Sequence, residues 1–247
     1  MSLSSLNPHP RDLNISFREE NHEYTIVGVD GKPTSVTTVI HRYFPEFNPD
    51  AIIKGMMSSR NWSKSKYYGG TAESIKQTWT RAAELGTLMH KSIEQYLNGE
   101  PVDNPETKEF SMFMDFLTEF LAKYPMLKLY RTEWVIYDET TGIAGSIDCV
   151  FVDPEGNLVI VDWKRSVEIK MENTYEKGYG PFCNFDNCNY SHYCLQLNFY
   201  RHMLETRYNK KVIFMMLVVL HPNQSSYQCL PIPHIDLSTI WPTLKQT

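Results

Sequence analysis

The chain has 247 residues, 42% of them hydrophobic and 21% charged, with a net charge of −5 and five cysteines. That length supplies a sizeable core for one or two domains of about 150 residues each, and the composition excludes both a disordered chain and a disulfide-stapled miniprotein. The longest apolar run, Val212 to Leu220, is shorter than the about 20 residues of a membrane span, so no membrane partner is expected.

Met1 to Asn14 show neither a secretory signal nor a basic organelle presequence, which leaves an intracellular, soluble protein with its compartment open between nucleus, cytoplasm and mitochondrion. Two short strands, His22 to Ile26 and Ser35 to Val39, are expected to form a hairpin around Asp30-Gly31-Lys32-Pro33. A short helix follows over Ala51 to Met57. Gly69-Gly70-Thr71 then breaks the chain before a long helix from Ala72 to Leu97, which Asn98-Gly99 stops. Apolar spacings of three and four, from Phe110 through Phe113, Met114, Leu117, Phe120 and Leu121, predict an amphipathic helix over Pro105 to Ala122.

The period then falls to two. Thr132 to Tyr137, Gly145 to Val152 and Leu158 to Lys164 read as three strands of an antiparallel meander, separated by turns at 138–144 and 153–157. A polar insertion spans Ser166 to Asn189, a helix Tyr190 to Tyr208, and further strands Lys211 to Leu220 and Tyr227 to Leu230. The order predicts one mixed α/β core with N-terminal helical additions: a single domain over 1–247, in which 1–71 is a hairpin and helical extension and 72–232 the core.

Between Lys54 and Lys91, seven basic residues stand against two acids, with Trp62, Tyr67, Tyr68 and Trp79 interleaved. Basic residues and aromatics in alternation suit phosphate contact and base stacking, and a solvated helical face would show the same composition. Lys64, Lys66, Trp62 and Tyr67 are the nucleic-acid-binding candidates. Cys183, Cys188 and Cys194 could offer three ligands to zinc or an iron-sulfur cluster, but no natural fourth is present and reduced thiols are expected.

A hairpin symmetric about Glu155 sets Asp148 opposite Asp162. Like charges facing each other across two strands are destabilising unless something neutralises them, and a divalent cation does so. Alternation puts Lys164 on the face of Asp162, and Ile147, Cys149, Val161 and Trp163 on the other. Two acids and a lysine meet the needs of phosphodiester hydrolysis, in which oxygen ligands hold Mg²⁺ or Mn²⁺ and an ammonium offsets transition-state charge. A plain ion pair on a solvated sheet face is the competing reading.

Gly145-Ser146-Ile147-Asp148 followed by Val161-Asp162-Trp163-Lys164 resembles the active-site signature of the PD-(D/E)XK nuclease superfamily, in its RecB-like exonuclease branch. Gly86-Thr87-Leu88-Met89-His90 resembles that branch's Gly-x-x-x-His helix, and Gln196 with Tyr200 its Gln-x-x-x-Tyr helix. The resemblance runs from Gly86 to Tyr200 and looks most like stand-alone phage, viral or organellar members. It implies a restriction-endonuclease-like α/β core, a mixed sheet flanked by helices. It also implies that Asp148, Asp162, His90 and the Trp163 carbonyl are ligands of one or two Mg²⁺ or Mn²⁺ ions, that Lys164 is the catalytic lysine with Gln196 positioning it or the substrate, and that Tyr200 contacts nucleic acid. Arg165 and Ser166 are phosphate-contact candidates, and Glu94 and Glu133 acids behind the ligands.

Relatives that carry an iron-sulfur cluster use a cysteine upstream of the nuclease core, which this chain lacks, so no cluster is carried over. No P-loop is present, and ATP-driven unwinding would need a partner. The expectation is therefore a Mg²⁺/Mn²⁺-dependent deoxyribonuclease, an exonuclease on single strands or ends, with replication, repair or recombination proteins as partners. The alternatives are an RNA endonuclease of the cap-snatching type and a catalytically silent nucleic-acid-binding module.

Overall fold

The computed structural model describes residues 2–244. In chain order the elements are α1 (Leu3–Leu6), β1 (Ile15–Arg18), β2 (Glu23–Ile26), β3 (Thr34–Ser35), α2 (Val36–His41), α3 (Pro49–Ser58) and α4 (Ala72–Leu97). They continue with α5 (Lys108–Lys123), β4 (Lys128–Asp138), β5 (Ile143–Val152), β6 (Leu158–Lys164), α6 (Asn189–Arg207), β7 (Val212–Val219) and β8 (Gln228–Pro231). No helix among the described residues is long and apolar enough to cross a membrane.

Six strands, among the described residues, form one mixed sheet flanked by helices, the α/β class expected. β4, β5 and β6 make the antiparallel meander, β7 adds in parallel to β6, and β8 closes the edge antiparallel to β7. β5 divides its second edge between two partners. Its C-terminal part, Cys149 to Val152, pairs with β6, and its first residues, Ile143 and Ala144, pair in parallel with β3. The opening between them is where the charged residues lie.

Each face of the sheet buries its own core. Phe110, Phe113, Phe116 and Phe120 of α5, with Met89 and Ile93 of α4, cover Cys149, Phe151, Val159, Val161 and Trp163. Val36, Val39 and Ile40 of α2, Leu195, Phe199 and Met203 of α6, and Trp241 cover Ile136, Ile147, Val150, Ile160 and Leu217. Each fully buried large side chain contributes about 1.5–3 kcal/mol. Ile147 thus lies with the α6 core, not with Cys149 and Trp163 as strict alternation predicts; the alternation breaks at Asp148, where β5 parts from β6 and Glu133 across from it has a φ of +44°.

The expected hairpin of 22–26 with 35–39 does not form. β2 pairs with the unforeseen strand β1, and Val36–His41 is helical. Ser35 caps that helix, its Oγ accepting from the Thr38 N–H at 3.1 Å, and Val36, Val39 and Ile40 have helical spacing for burial against α6. A cap and a buried face outweigh the β-propensity of Val-Thr-Thr-Val-Ile. Likewise α5 starts at Lys108 rather than Pro105, since Thr107 Oγ1 accepts from the Phe110 N–H and caps it there. α4 has the expected bounds.

Candidate metal centre

β6 delivers Asp162 and Lys164, β5 Asp148, β4 Glu133 and α4 His90. The β5–β6 ladder runs from Val152↔Leu158 to Cys149↔Val161, the register that places Asp148 opposite Asp162 one step further on. That last rung is not made. Instead the Trp163 N–H donates to Asp148 Oδ2 at 2.8 Å, so a carboxylate takes over the ladder position as the strands part. Thr132 Oγ1 donates to the Asp148 carbonyl at 2.9 Å and holds the residue from the other side.

Glu133 falls between the rungs Thr132↔Cys149 and Trp134↔Ile147 and so lies across from Asp148. Its φ of +44° is in the left-handed region, a conformation that costs a non-glycine residue about 1–3 kcal/mol and concentrates at functional sites. Ser146 Oγ donates to its Oε2 at 2.9 Å. Ligand atoms of His90, Glu133 and Asp148 lie within 4.8 Å of one another, a half-buried to buried group that can hold a metal ion.

His90 sits on α4 between Met89 and Ile93, whose burial against the sheet sets the rotation of the helix. Its Nε2 is 2.9 Å from the Trp163 carbonyl, which can only accept, so Nε2 carries the hydrogen. Nδ1 is left facing Asp148 Oδ2 at 3.5 Å and Glu133 Oε1 at 3.9 Å. A histidine oriented through one ring nitrogen, with the other aimed among carboxylates, can serve as a ligand.

Asp162 is 1% exposed, and its Oδ1 has no hydrogen-bond donor. Its Oδ2 is 2.6 Å from Lys164 Nζ, which also lies 4.7 Å from the centre of the Tyr193 ring. A buried carboxylate with one orphaned oxygen costs free energy, and Asp162 is not among the residues whose ligand atoms converge within 4.8 Å.

The electrostatics carry the same message. Burial would lower the His90 pKa, but the Asp148 and Glu133 carboxylates overcome it and push it up to about 9. Burial raises Asp148, with Glu133 adding to it against the pull of His90 and Lys164, and burial raises Asp162 against the opposing Lys164 ammonium. Lys164 stays protonated despite burial because Asp162 and Asp148 stand beside it. Glu94, one turn beyond His90, is pushed up to about 7 by burial and then by Glu133, Glu100 and Glu19. A divalent cation would compete with protons for these groups, as metal binding at such sites does.

The other expected residues are distributed as follows. Gln196 Nε2 donates to the Tyr200 hydroxyl at 2.9 Å. Tyr200 is 3% exposed, its ring packed against Gly145, where a Cβ would stand 2.6 Å from Tyr200 Cε1. The Trp163 carbonyl is occupied by His90. Arg165 Nε is paired with Glu109 Oε1 at 2.7 Å, both side chains largely buried, and Ser166 Oγ donates to the Glu168 carbonyl.

On the α3–α4 arm, Tyr67 accepts from Trp79 Nε1 at 2.8 Å and Trp62 packs edge-on against Tyr68, so these aromatics brace the arm. Lys76, Arg81 and Lys91 are ion-paired, whereas Lys54, Arg60, Lys64 and Lys66 enter no ion pair among the described residues. The cysteines are free thiols, with Cys188 and Cys194 buried and Cys183 exposed.

Glu133 was legible in the sequence as an acid behind the ligands; its ligand atoms lie instead among those of His90 and Asp148. The signal was present. Centring the 138–144 turn between Thr140 and Thr141 sets Glu133 opposite Asp148, by the reasoning that paired Asp148 with Asp162.

No family model matches the chain, and no curated protein matches it. Among solved structures it is similar to a protein named SSO0001, with 15% identity and a TM-score of 0.36 over 84% of this chain and 70% of that one. It is also similar to a protein from Eubacterium rectale described as a "putative exonuclease", with 12% identity and a TM-score of 0.30 over 88% of this chain and 72% of that one.

Proposed function

We propose that the chain is a Mg²⁺- or Mn²⁺-dependent nuclease that hydrolyses phosphodiester bonds of DNA as an exonuclease on single strands or ends, within one nuclease domain. The observation that carries this reading is the convergence of His90, Glu133 and Asp148 ligand atoms within 4.8 Å, beside a buried Asp162–Lys164 pair. The motif resemblance favours DNA and adds the reaction class.

Here His90 Nδ1, Glu133, Asp148 and the open oxygen of Asp162 would hold the cation, with Glu94 behind them. A divalent ion supplies Lewis acidity, polarising the phosphoryl oxygen and lowering the pKa of water at neutral pH. The Lys164 ammonium, fixed between Asp162 and the Tyr193 ring, neutralises negative charge that develops on the phosphoryl oxygens as water attacks phosphorus and the P–O bond to the leaving group breaks. Gln196 is oriented by its hydrogen bond to Tyr200, and Lys54, Arg60, Lys64 and Lys66, which enter no ion pair among the described residues, guide the strand by their charge.

End-labelled single- and double-stranded DNA and RNA, incubated together as competitors, test the assignment. DNA shortened from an end in Mg²⁺ or Mn²⁺ and untouched in EDTA is expected. Preferential internal cleavage of RNA would replace it with an RNA endonuclease, and binding without cleavage of any substrate would replace it with a binding module.

A further inference from the structure

The turn after α2, Phe44-Pro45-Glu46-Phe47-Asn48, leads the chain across the first turns of α6. The two do not close on each other. Between them lies a groove of about 1060 Å³ walled by His41, Phe44, Phe47 and His192. Next to it, sharing His41, Asn189 and His192, is a recess of about 190 Å³ lined also by Tyr193 and Gln196.

Both ends of this pair of cavities are defined. At the inner end Tyr193 lines the recess, and its ring lies 4.7 Å from Lys164 Nζ, so one ring lies between the recess and the lysine. At the outer end Phe47, 67% exposed, packs at 5.8 Å against Trp79 of α4, the helix of the basic arm. The groove thus lies between a ring that packs on the arm and a ring that packs on Lys164.

Among a mixed lining, Phe47 and His192 present rings, whereas Phe44 is 4% exposed. His192 packs 4.2 Å from Phe44 and 5.5 Å from His41, and burial, aided by His41, lowers its pKa to about 4, so it is a neutral ring at pH 7. The charged residues that line the groove are Lys170 against Glu46 and Glu176, which leaves no basic excess for phosphates. Ring faces without basic excess select for bases rather than backbone, and a base offers a free face only where the strand is unpaired. The volume sits at the upper limit of cavities that enclose small ligands, enough for one or two nucleotides.

We propose that this groove is a subsite for unpaired nucleotides flanking the scissile bond, with bases stacking on Phe47 and His192. The inference rests on the nuclease reading for the identity of its ligand and makes single-stranded nucleic acid the preferred substrate form. Because stacking carries it, the affinity it adds is nearly independent of salt, in contrast to that of the arm.

The test is equilibrium binding of the full chain in EDTA, with single-stranded DNA carrying 2-aminopurine at successive positions and with the same sequence as a blunt duplex. Quenching is expected at one or two adjacent positions of the single strand and at none of the duplex. Phe47→Ala, at an exposed position that does not threaten folding, should abolish that quenching and weaken single-strand binding about tenfold, equally at low and high salt. His192→Ala should act alike. Quenching that is uniform along the strand, or binding by Phe47→Ala equal to wild type, would overturn the subsite. Metal-dependent cleavage by wild type is scored separately. Cleavage with an indifferent Phe47→Ala rejects the groove alone, and position-specific quenching without cleavage rejects the nuclease reading alone.

Discussion

The Trp163 amide donates to Asp148 Oδ2 at 2.8 Å, where the next β5–β6 rung would otherwise form. The same peptide segment accepts from His90 through the Trp163 carbonyl at 2.9 Å. One residue of β6 therefore orients both a carboxylate and an imidazole, and its own indole anchors it in the α5 core at 1% exposure.

Asp148→Asn keeps an oxygen to accept from Trp163 and removes the charge. Its melting temperature should stay within about 4 °C of wild type, while Mn²⁺ affinity by titration calorimetry falls at least about 10–100-fold, the loss that even outer partners of a metal ligand produce. Undiminished affinity would remove Asp148 from the ligand set.

Glu133→Gln retains an acceptor for Ser146 and should likewise weaken Mn²⁺ binding. It also removes one cause of the raised Glu94 pKa, so the Glu94 carboxyl, followed by NMR in EDTA, should titrate below its wild-type value of about 7. No movement would mean that Glu133 and Glu94 do not sense each other.

Much of this was legible in the sequence because it is local. Thr71 and Asn98 bound α4, and the 153–157 turn sets the register of Asp148 with Asp162. What was not legible depends on partners far along the chain. Ser35 to Val39 reads as a strand until α6, about 150 residues on, gives its apolar stripe something to cover. Arg165 reads as a phosphate contact until α5 places Glu109 beside it. The aromatics of the arm brace one another for the same reason.

Gly145 is where the Gly-Ser-Ile-Asp segment meets α6. A Cβ there would stand 2.6 Å from Tyr200 Cε1 and 3.2 Å from Val36 Cγ2. Gly145→Ala should destabilise the fold by about 1–3 kcal/mol in urea unfolding, and adding Tyr200→Leu should recover part of it. Additive losses in the double variant would show that the two do not collide.

Asp138, fully buried at the end of β4, accepts from Trp241 Nε1 at 2.6 Å and from Thr140, and is paired with Arg207. Burial alone would raise its pKa, but these partners hold it below the usual carboxylate value. A carboxylate depressed in the folded state contributes stability that is fully present above its unfolded pKa of about 3.9 and is lost as pH falls through the lower folded value. Unfolding free energy of wild type should therefore drop more steeply below about pH 4 than that of Asp138→Asn. Parallel curves would show that the Trp241 contact does not depend on the charge.

The central claim is that Asp148 and Lys164 belong to one metal-dependent hydrolytic site. Its most direct test is single-turnover cleavage of an end-labelled single-stranded DNA by wild type, Asp148→Asn and Lys164→Ala, each checked for folding by circular dichroism, in EDTA and after Mn²⁺ is added back. Cleavage by wild type only after Mn²⁺ is restored, reduced at least about 100-fold in both folded variants, is the predicted result. Cleavage that persists in EDTA, or that either folded variant performs at the wild-type rate, would contradict it.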